Sequence, residues 1–117
     1  MRFSPNGKFL LLSSLDSTIR LWDWNLQQCV KTLQGHLNTK YSVSATMFDA
    51  ASGAKCVASA SEDHKVVVWN LQSKIIQQTL SGHEGVVMAV AAHSTRPLLA
   101  SCGFDCTVRV WSDEATM

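Results

Sequence analysis

Three times in 117 residues an aspartate stands six positions before a tryptophan: Asp16 and Trp22, Asp63 and Trp69, Asp105 and Trp111. A recurrence at fixed spacing limits the fold more than composition can, because each unit must build the same local structure and bury it against its neighbours. A second marker runs in step with the first. Gly35-His36 returns as Gly82-His83, 47 residues on, and Trp22 and Trp69 each precede the next histidine by 14. Asp16 to Asp63 is also 47 residues, whereas Asp63 to Asp105 is 42. The middle unit therefore carries five extra residues ahead of its aspartate, expected within Phe48 to Lys55.

Each unit reads as short strands. FLLLSS, CVASAS and LLASCG precede the aspartates, and TIRLW, KVVVW and TVRVW follow them. These runs alternate between two faces and are rich in β-branched residues, so each pair predicts a hairpin with the aspartate in its turn. CVKTLQ and IIQQTLS predict a further strand before each Gly-His, and YSVSATMF and VVMAVAAH predict one after it. No stretch sustains a helical period with caps. The fold class is all-β, with three, four and three strands in successive units.

Charge narrows the function. Only 16% of residues are Asp, Glu, Lys or Arg, below the roughly 25% usual in soluble domains, and the net charge is +1. Without a basic stripe to neutralise phosphates, direct binding to nucleic acid or to an anionic membrane is not expected. The longest uncharged apolar run, Gly85 to Ala92, falls far short of the ~20 residues that cross a bilayer. The opening MRFSPNGK lacks the apolar core of a secretory signal, which predicts an intracellular protein.

The chemistry of a site is scarce. Cys29, Cys56, Cys102 and Cys106 include no C-x-x-C pair, and Cys102 and Cys106 straddle a tight turn, so reduced, mostly buried thiols are expected and no metal. Asp16, Asp63 and Asp105 sit in the turns of different units, where no two carboxylates share one site as acid-base work requires. SPNG, Ser4 to Gly7, is turn chemistry and not a phosphate cradle. No enzyme and no cofactor are expected.

Four short strands per unit, with Gly-His near one end and Trp near the other, resemble the blades of WD-repeat (WD-40) propellers. The resemblance covers the whole chain and implies a partial β-propeller of about three consecutive blades: 1–34 incomplete, 35–81 complete, and 82–117 without its outer strand. It further implies that each unit joins its histidine, a serine, the aspartate and the tryptophan in one buried hydrogen-bonded chain. In the middle unit these are His36, Ser59 or Ser61, Asp63 and Trp69. In the third they are His83, Ser101, Asp105 and Trp111, and in the first Ser14, Asp16 and Trp22. Since propellers close into rings of four or more blades, upstream blades are expected, and the chain by itself is expected to self-associate.

FSPNGKFLLLSSLDSTIRLWDW, GHLNTKYS and SEDHKVVVWNLQSK resemble most closely the WD-repeat scaffold subunits of MLL/COMPASS-type histone lysine methyltransferase complexes. That likeness implies two binding surfaces. One is a central opening that takes an arginine side chain from a peptide such as a histone tail. Lys40 and Tyr41 match its wall, Ser42 replaces the usual cysteine, and Ser44 stands where a clamping phenylalanine is usual. The other is a cleft for an acidic-hydrophobic segment of a partner subunit, matched by Asn6, Leu21 and Gln72, with Phe9 for a tyrosine. The implied function is a non-catalytic protein-protein interaction scaffold of a chromatin-modifying complex in the nucleus, with the cytoplasm also open. A WD-repeat adaptor of another kind, a ubiquitin-ligase substrate receptor or a signalling scaffold, is the alternative.

Overall fold

The computed structural model describes residues 1–4, 7–49, 53, 55–93, 96 and 98–112. Among them eleven strands follow one another: β1 (Arg2–Phe3), β2 (Phe9–Ser14), β3 (Thr18–Asp23), β4 (Gln28–Gln34), β5 (Ala45–Asp49), β6 (Lys55–Ala60), β7 (Lys65–Asn70), β8 (Ile76–Ser81), β9 (Val87–Ala92), β10 (Leu98–Gly103) and β11 (Val108–Ser112). They form three antiparallel sheets, ordered β1-β2-β3-β4, β5-β6-β7-β8 and β9-β10-β11. The first sheet has four strands and not the expected three. Arg2 and Phe3 pair with Leu11 and Leu10, and two residues are too few to show a period in sequence.

The aspartate turns share one backbone solution. The residue after each aspartate is left-handed: Ser17 at φ 60°, His64 at 73° and Cys106 at 61°. A single αL residue is what lets a short loop reverse the chain while keeping the strand twist. Asp16 and Asp105 add a local clamp, each accepting the backbone N–H two residues on at 3.2 Å.

Alternation along the strands sends side chains into two core layers. Leu11, Ile19, Leu21 and Leu33 of the first sheet meet Ala45, Val57, Val67, Trp69 and Leu71 of the middle one. The other face of the middle sheet, Cys56, Ala58, Ala60, Val66 and Val68, meets Val87, Val90 and Leu99 of the third, with Trp111 packed against them. The middle sheet is thus covered on both sides. The cysteines follow position and not residue type: Cys56 is buried and Cys102 half-buried, but Cys29 and Cys106 are exposed, contrary to the expectation of mostly buried thiols.

Strand register divides the five-residue insertion. Ala45 faces Ser59 where Val90 faces Ser101, and Met47 faces Val57 where Ala92 faces Leu99. Ala45 lies nine positions after His36 while Val90 lies seven after His83, so two of the extra residues precede β5. Met47 to Val57 is ten positions against seven from Ala92 to Leu99, which puts three in the following turn. Phe48 to Lys55 holds only part of the insertion.

The third sheet keeps a bulge between Cys102 and Gly103. A Cβ on Gly103 would collide with the Val86 carbonyl oxygen and come within 2.9 Å of Val87 Cα. Both obstacles are backbone, so Gly103→Ala is expected to cost about 1–3 kcal/mol. An unchanged urea midpoint would contradict this.

Candidate functional site

In the third sheet the repeat residues form a complete relay. Trp111 Nε1 donates to Ser101 Oγ at 2.9 Å, Ser101 Oγ lies 2.7 Å from His83 Nε2, and His83 Nδ1 lies 2.9 Å from Asp105 Oδ2. Burial raises the Asp105 pKa, but the Glu84 backbone N–H, His83 and Thr107 outweigh it and hold the carboxyl well below the usual range. An ionised carboxylate only accepts, so His83 Nδ1 carries the proton. Nε2 then accepts from the Ser101 hydroxyl, whose oxygen accepts the indole N–H. Each buried polar atom has a partner, and the relay joins β10, β11 and the Gly-His turn.

The middle sheet, with the same residue types, is wired differently. Trp69 Nε1 donates to the Gln34 carbonyl at 2.9 Å, and the Ser59 hydroxyl donates to the Ala60 carbonyl at 2.8 Å. Ser61 Oγ accepts the Leu37 N–H at 3.0 Å. His36 is buried, meets the Trp69 ring edge-on at 5.3 Å, and has no hydrogen-bond partner on either ring nitrogen among the described residues. The four-residue chain expected here is not formed, because backbone carbonyls and an amide have taken the polar atoms of its tryptophan and serines. Burial lowers the His36 pKa below its usual 6.5, against the opposing charges of Asp63, Asp16 and Glu62. Asp63 itself is exposed in the turn.

A residue the sequence reading passed over replaces the missing clip. Glu62 Oε2 accepts the backbone N–H groups of Thr39 (3.1 Å), Lys40 (2.9 Å) and Tyr41 (2.9 Å). Burial raises its pKa, and the bonds from Tyr41, Lys40 and Thr39 more than reverse this, so the carboxyl titrates below its ordinary value. Three consecutive amides aimed at one carboxylate form an anion nest. The cue in sequence is residue identity: Glu62 stands where the third unit has Phe104. Glu62→Ala is expected to speed hydrogen exchange at the amides of 39–41 by at least about tenfold. Its support is present above the ordinary carboxyl value and lost as pH falls through the lowered one, so acid should release the same amides. Exchange at these amides that ignores both changes would contradict the assignment.

In the first sheet Ser14 donates to Asp16 Oδ1 at 2.6 Å, and the Thr18 hydroxyl donates to the same oxygen. Together, Ser14 first, they bring the Asp16 pKa down to about 2. Among the described residues no bond joins Trp22, which is half-buried, to this pair.

The cleft residues separate into layers. Leu21 is 5% exposed in the core between the first and middle sheets, and Phe9 packs against that core half-buried. Gln72 is exposed, and Asn6 lies outside the described residues. Gln72 lines a groove of about 300 Å³ with Lys31, Gly53, Lys55, Asn70 and Leu71. Lys31 Nζ donates to the carbonyls of Leu71 (2.9 Å) and Gln72 (3.3 Å), tying the two sheets together under the groove. Lys55 Nζ is exposed and pairs with Asp49 at 3.1 Å. Leu21 belongs to the same core layer as Leu71 and, buried there, offers no surface to a partner.

The residues matched to an arginine opening also divide. Ser44 Oγ accepts the Val90 N–H at 2.9 Å, and its backbone bonds to Met88 and Ala60, so it stitches the middle sheet to the third. Tyr41 meets Phe104 edge to face at 5.1 Å, and Lys40 Nζ lies 5.4 Å from the centre of the Tyr41 ring. Ser42 is exposed. The aspartates stand in three separate turns, and no group of three His, Cys, Asp or Glu among the described residues could hold a metal.

Comparison with known proteins agrees with this architecture. The family model described as WD domain, G-beta repeat matches residues 1–23, 27–70 and 74–112. WD repeat domain-containing protein 83 of Homo sapiens is 36% identical over 114 residues, 97% of this chain and 35% of that protein. Nuclear distribution protein nudF of Aspergillus niger is 35% identical over 111 residues, 93% of this chain and 24% of its own. The WD repeat-containing protein WDS homolog of Arabidopsis thaliana is 33% identical over 116 residues, 95% of this chain and 21% of its own. The chain thus spans from about a fifth to a third of the length of these relatives. None of these names mentions a histone methyltransferase complex, so they do not support the specific likeness read from the sequence.

Proposed function

The chain belongs to the WD-repeat family, whose domains bind other proteins, and on that premise we propose that it is an interaction scaffold whose docking site is the groove beside Gln72. One observation carries this reading: Lys31, Lys55, Asn70, Leu71 and Gln72 combine two cations, amide groups and an apolar floor in one open channel between two sheets. Such a channel suits an extended acidic-hydrophobic segment, because the amides fix its register, the lysines attract its carboxylates and Leu71 receives an apolar side chain.

The finer proposal is that the segment comes from a subunit of a nuclear histone lysine methyltransferase complex, with arginine peptides such as histone tails as a second ligand near Tyr41. Its support is the likeness of residues 3–24, 35–42 and 61–74 to the scaffolds of those complexes. The second reading is a WD-repeat adaptor of another kind, favoured by the names of the relatives above. Capture from nuclear extract by the longest natural protein carrying this chain separates them. Lys55→Glu, at an exposed position, should abolish groove-dependent capture without loss of fold. Methyltransferase subunits lost from the variant support the finer proposal. Other proteins lost in their place favour the second reading, and capture indifferent to Lys55→Glu removes the groove from both.

A further inference from the structure

The middle and third sheets carry the same four residue types in two bonded states, and the difference lies in where two protons go. In the third sheet the Ser101 hydroxyl receives the Trp111 indole N–H, so its own proton is free for His83 Nε2. Ser59 holds the corresponding place, since it faces Ala45 as Ser101 faces Val90. Its proton goes to the Ala60 carbonyl, and the Trp69 N–H goes to the Gln34 carbonyl. A neutral imidazole needs one donor and one acceptor. Neither Ser59 nor Trp69 has a proton left to give His36, which is 5% exposed with both nitrogens unpartnered among the described residues.

What the middle sheet retains is acceptors. Ser59 Oγ is buried and, among the described residues, receives no hydrogen bond. The charged groups that act on His36 are three carboxylates: Asp63 and Glu62 from the turn between β6 and β7, and Asp16 from the turn between β2 and β3. Glu62 is engaged by the amides of 39–41, and Asp16 by Ser14, Thr18 and Arg20. Asp63 is exposed and makes no hydrogen bond or ion pair among the described residues. An imidazolium offers two N–H donors and accepts nothing. One unoccupied hydroxyl oxygen and one free carboxylate match that demand.

We propose that the middle sheet is a proton-driven switch: when His36 takes up one proton, Asp63 is drawn in from solvent onto Nδ1, Nε2 donates to Ser59 Oγ, and the open set closes. A lone buried imidazolium is costly, and pairing with a carboxylate offsets that cost, so the step depends on Asp63. The third sheet has no such step, because it is already closed around a neutral His83 with Asp105 at 2.9 Å. The turn that moves carries Glu62, whose carboxylate grips the amides of Thr39, Lys40 and Tyr41. Protonation inside the sheet is therefore transmitted to the loop that bears Tyr41, through a bistable hydrogen-bond set with a histidine as its trigger.

The test follows the His36 ring by nitrogen correlation spectra in the longest natural protein carrying this chain, with its signals assigned by their loss in His36→Leu. Between about pH 7.5 and about pH 5, His36 should gain an Nδ1–H protected from solvent exchange. The amides of 39–41 should shift with the same midpoint, above the range in which the lowered Glu62 carboxyl titrates. Asp63→Asn, at an exposed position, should leave circular dichroism at neutral pH unchanged, lower the His36 midpoint by about one pH unit or more, and abolish the protected N–H. A midpoint that Asp63→Asn leaves in place overturns the pairing with Asp63. Loss of the folded circular dichroism before His36 takes up its proton, or uptake without a protected ring N–H, overturns the switch.

Discussion

Trp69→Ala is expected to leave the chain without a cooperative fold. Trp69 is 0% exposed at the centre of the layer shared by the first and middle sheets. It meets His36 edge-on and gives its N–H to the Gln34 carbonyl, so it ties β7 to the core, to the end of β4 and to the Gly-His turn beyond it. Truncating a buried aromatic ring to a methyl costs about 3–5 kcal/mol. Small domains have about 5–15 kcal/mol in total, so a loss of this size removes a large share of it. Near-ultraviolet circular dichroism should lose its fine structure, and the urea transition should broaden or vanish. Trp69→Phe keeps a six-membered aromatic ring but loses the pyrrole part of the indole with its N–H, and should cost less than the alanine variant, about 1–3 kcal/mol. A sharp transition in the alanine variant, displaced by less than about 1 kcal/mol, would contradict the central place given to this ring.

The same substitution at the two repeat histidines should act in opposite directions. His36 is buried with both nitrogens unpartnered, so His36→Leu removes an unsatisfied group and should stabilise by about 1 kcal/mol at neutral pH. His83→Leu strips the Ser101 hydroxyl of its acceptor and Asp105 of a donor, and should destabilise by about 2–4 kcal/mol. A pH dependence accompanies the first variant. Since burial lowers the folded His36 pKa from 6.5, the unfolded chain takes up the proton more readily than the folded one. The stability of keeping His36 neutral is therefore complete above about 6.5 and lost as pH falls through the lowered folded value. The parent should show this loss and His36→Leu should not. Equal signs for the two leucine variants would remove the distinction drawn between the middle and third sheets.

Much of the fold was legible in the sequence because its signals are local. Alternation in KVVVW and TIRLW and the aspartate turns locate the strand pairs within a residue or two. What escaped depends on contacts distant in sequence. The start of β5 at Ala45 is set by Glu62 gripping the amides of 39–41 and by Ser44 bonding into the third sheet, and no pattern within 41–48 announces either. The division of the insertion is visible only through register. The relay was legible as a residue set but not as a bonded state, since His36 and His83 head the same Gly-His…Ser…Asp…Trp pattern. Only the competition of the Gln34 and Ala60 carbonyls for the middle donors separates the two. Of the residues matched to a cleft, Gln72 lines a groove while Leu21 lies in the core, because a match of residue type could not report burial.

The most direct measurement is a two-bond proton–nitrogen correlation spectrum of the histidine rings near neutral pH. The structure predicts that His83 carries its proton on Nδ1, facing Asp105, with a ring N–H protected from solvent exchange by the relay. His36 should lack any hydrogen-bonded ring N–H, and its signals should remain those of the neutral form to lower pH than an exposed histidine. A protected Nδ1 proton on both rings would mean that the middle sheet closes the same relay as the third, and would contradict the account.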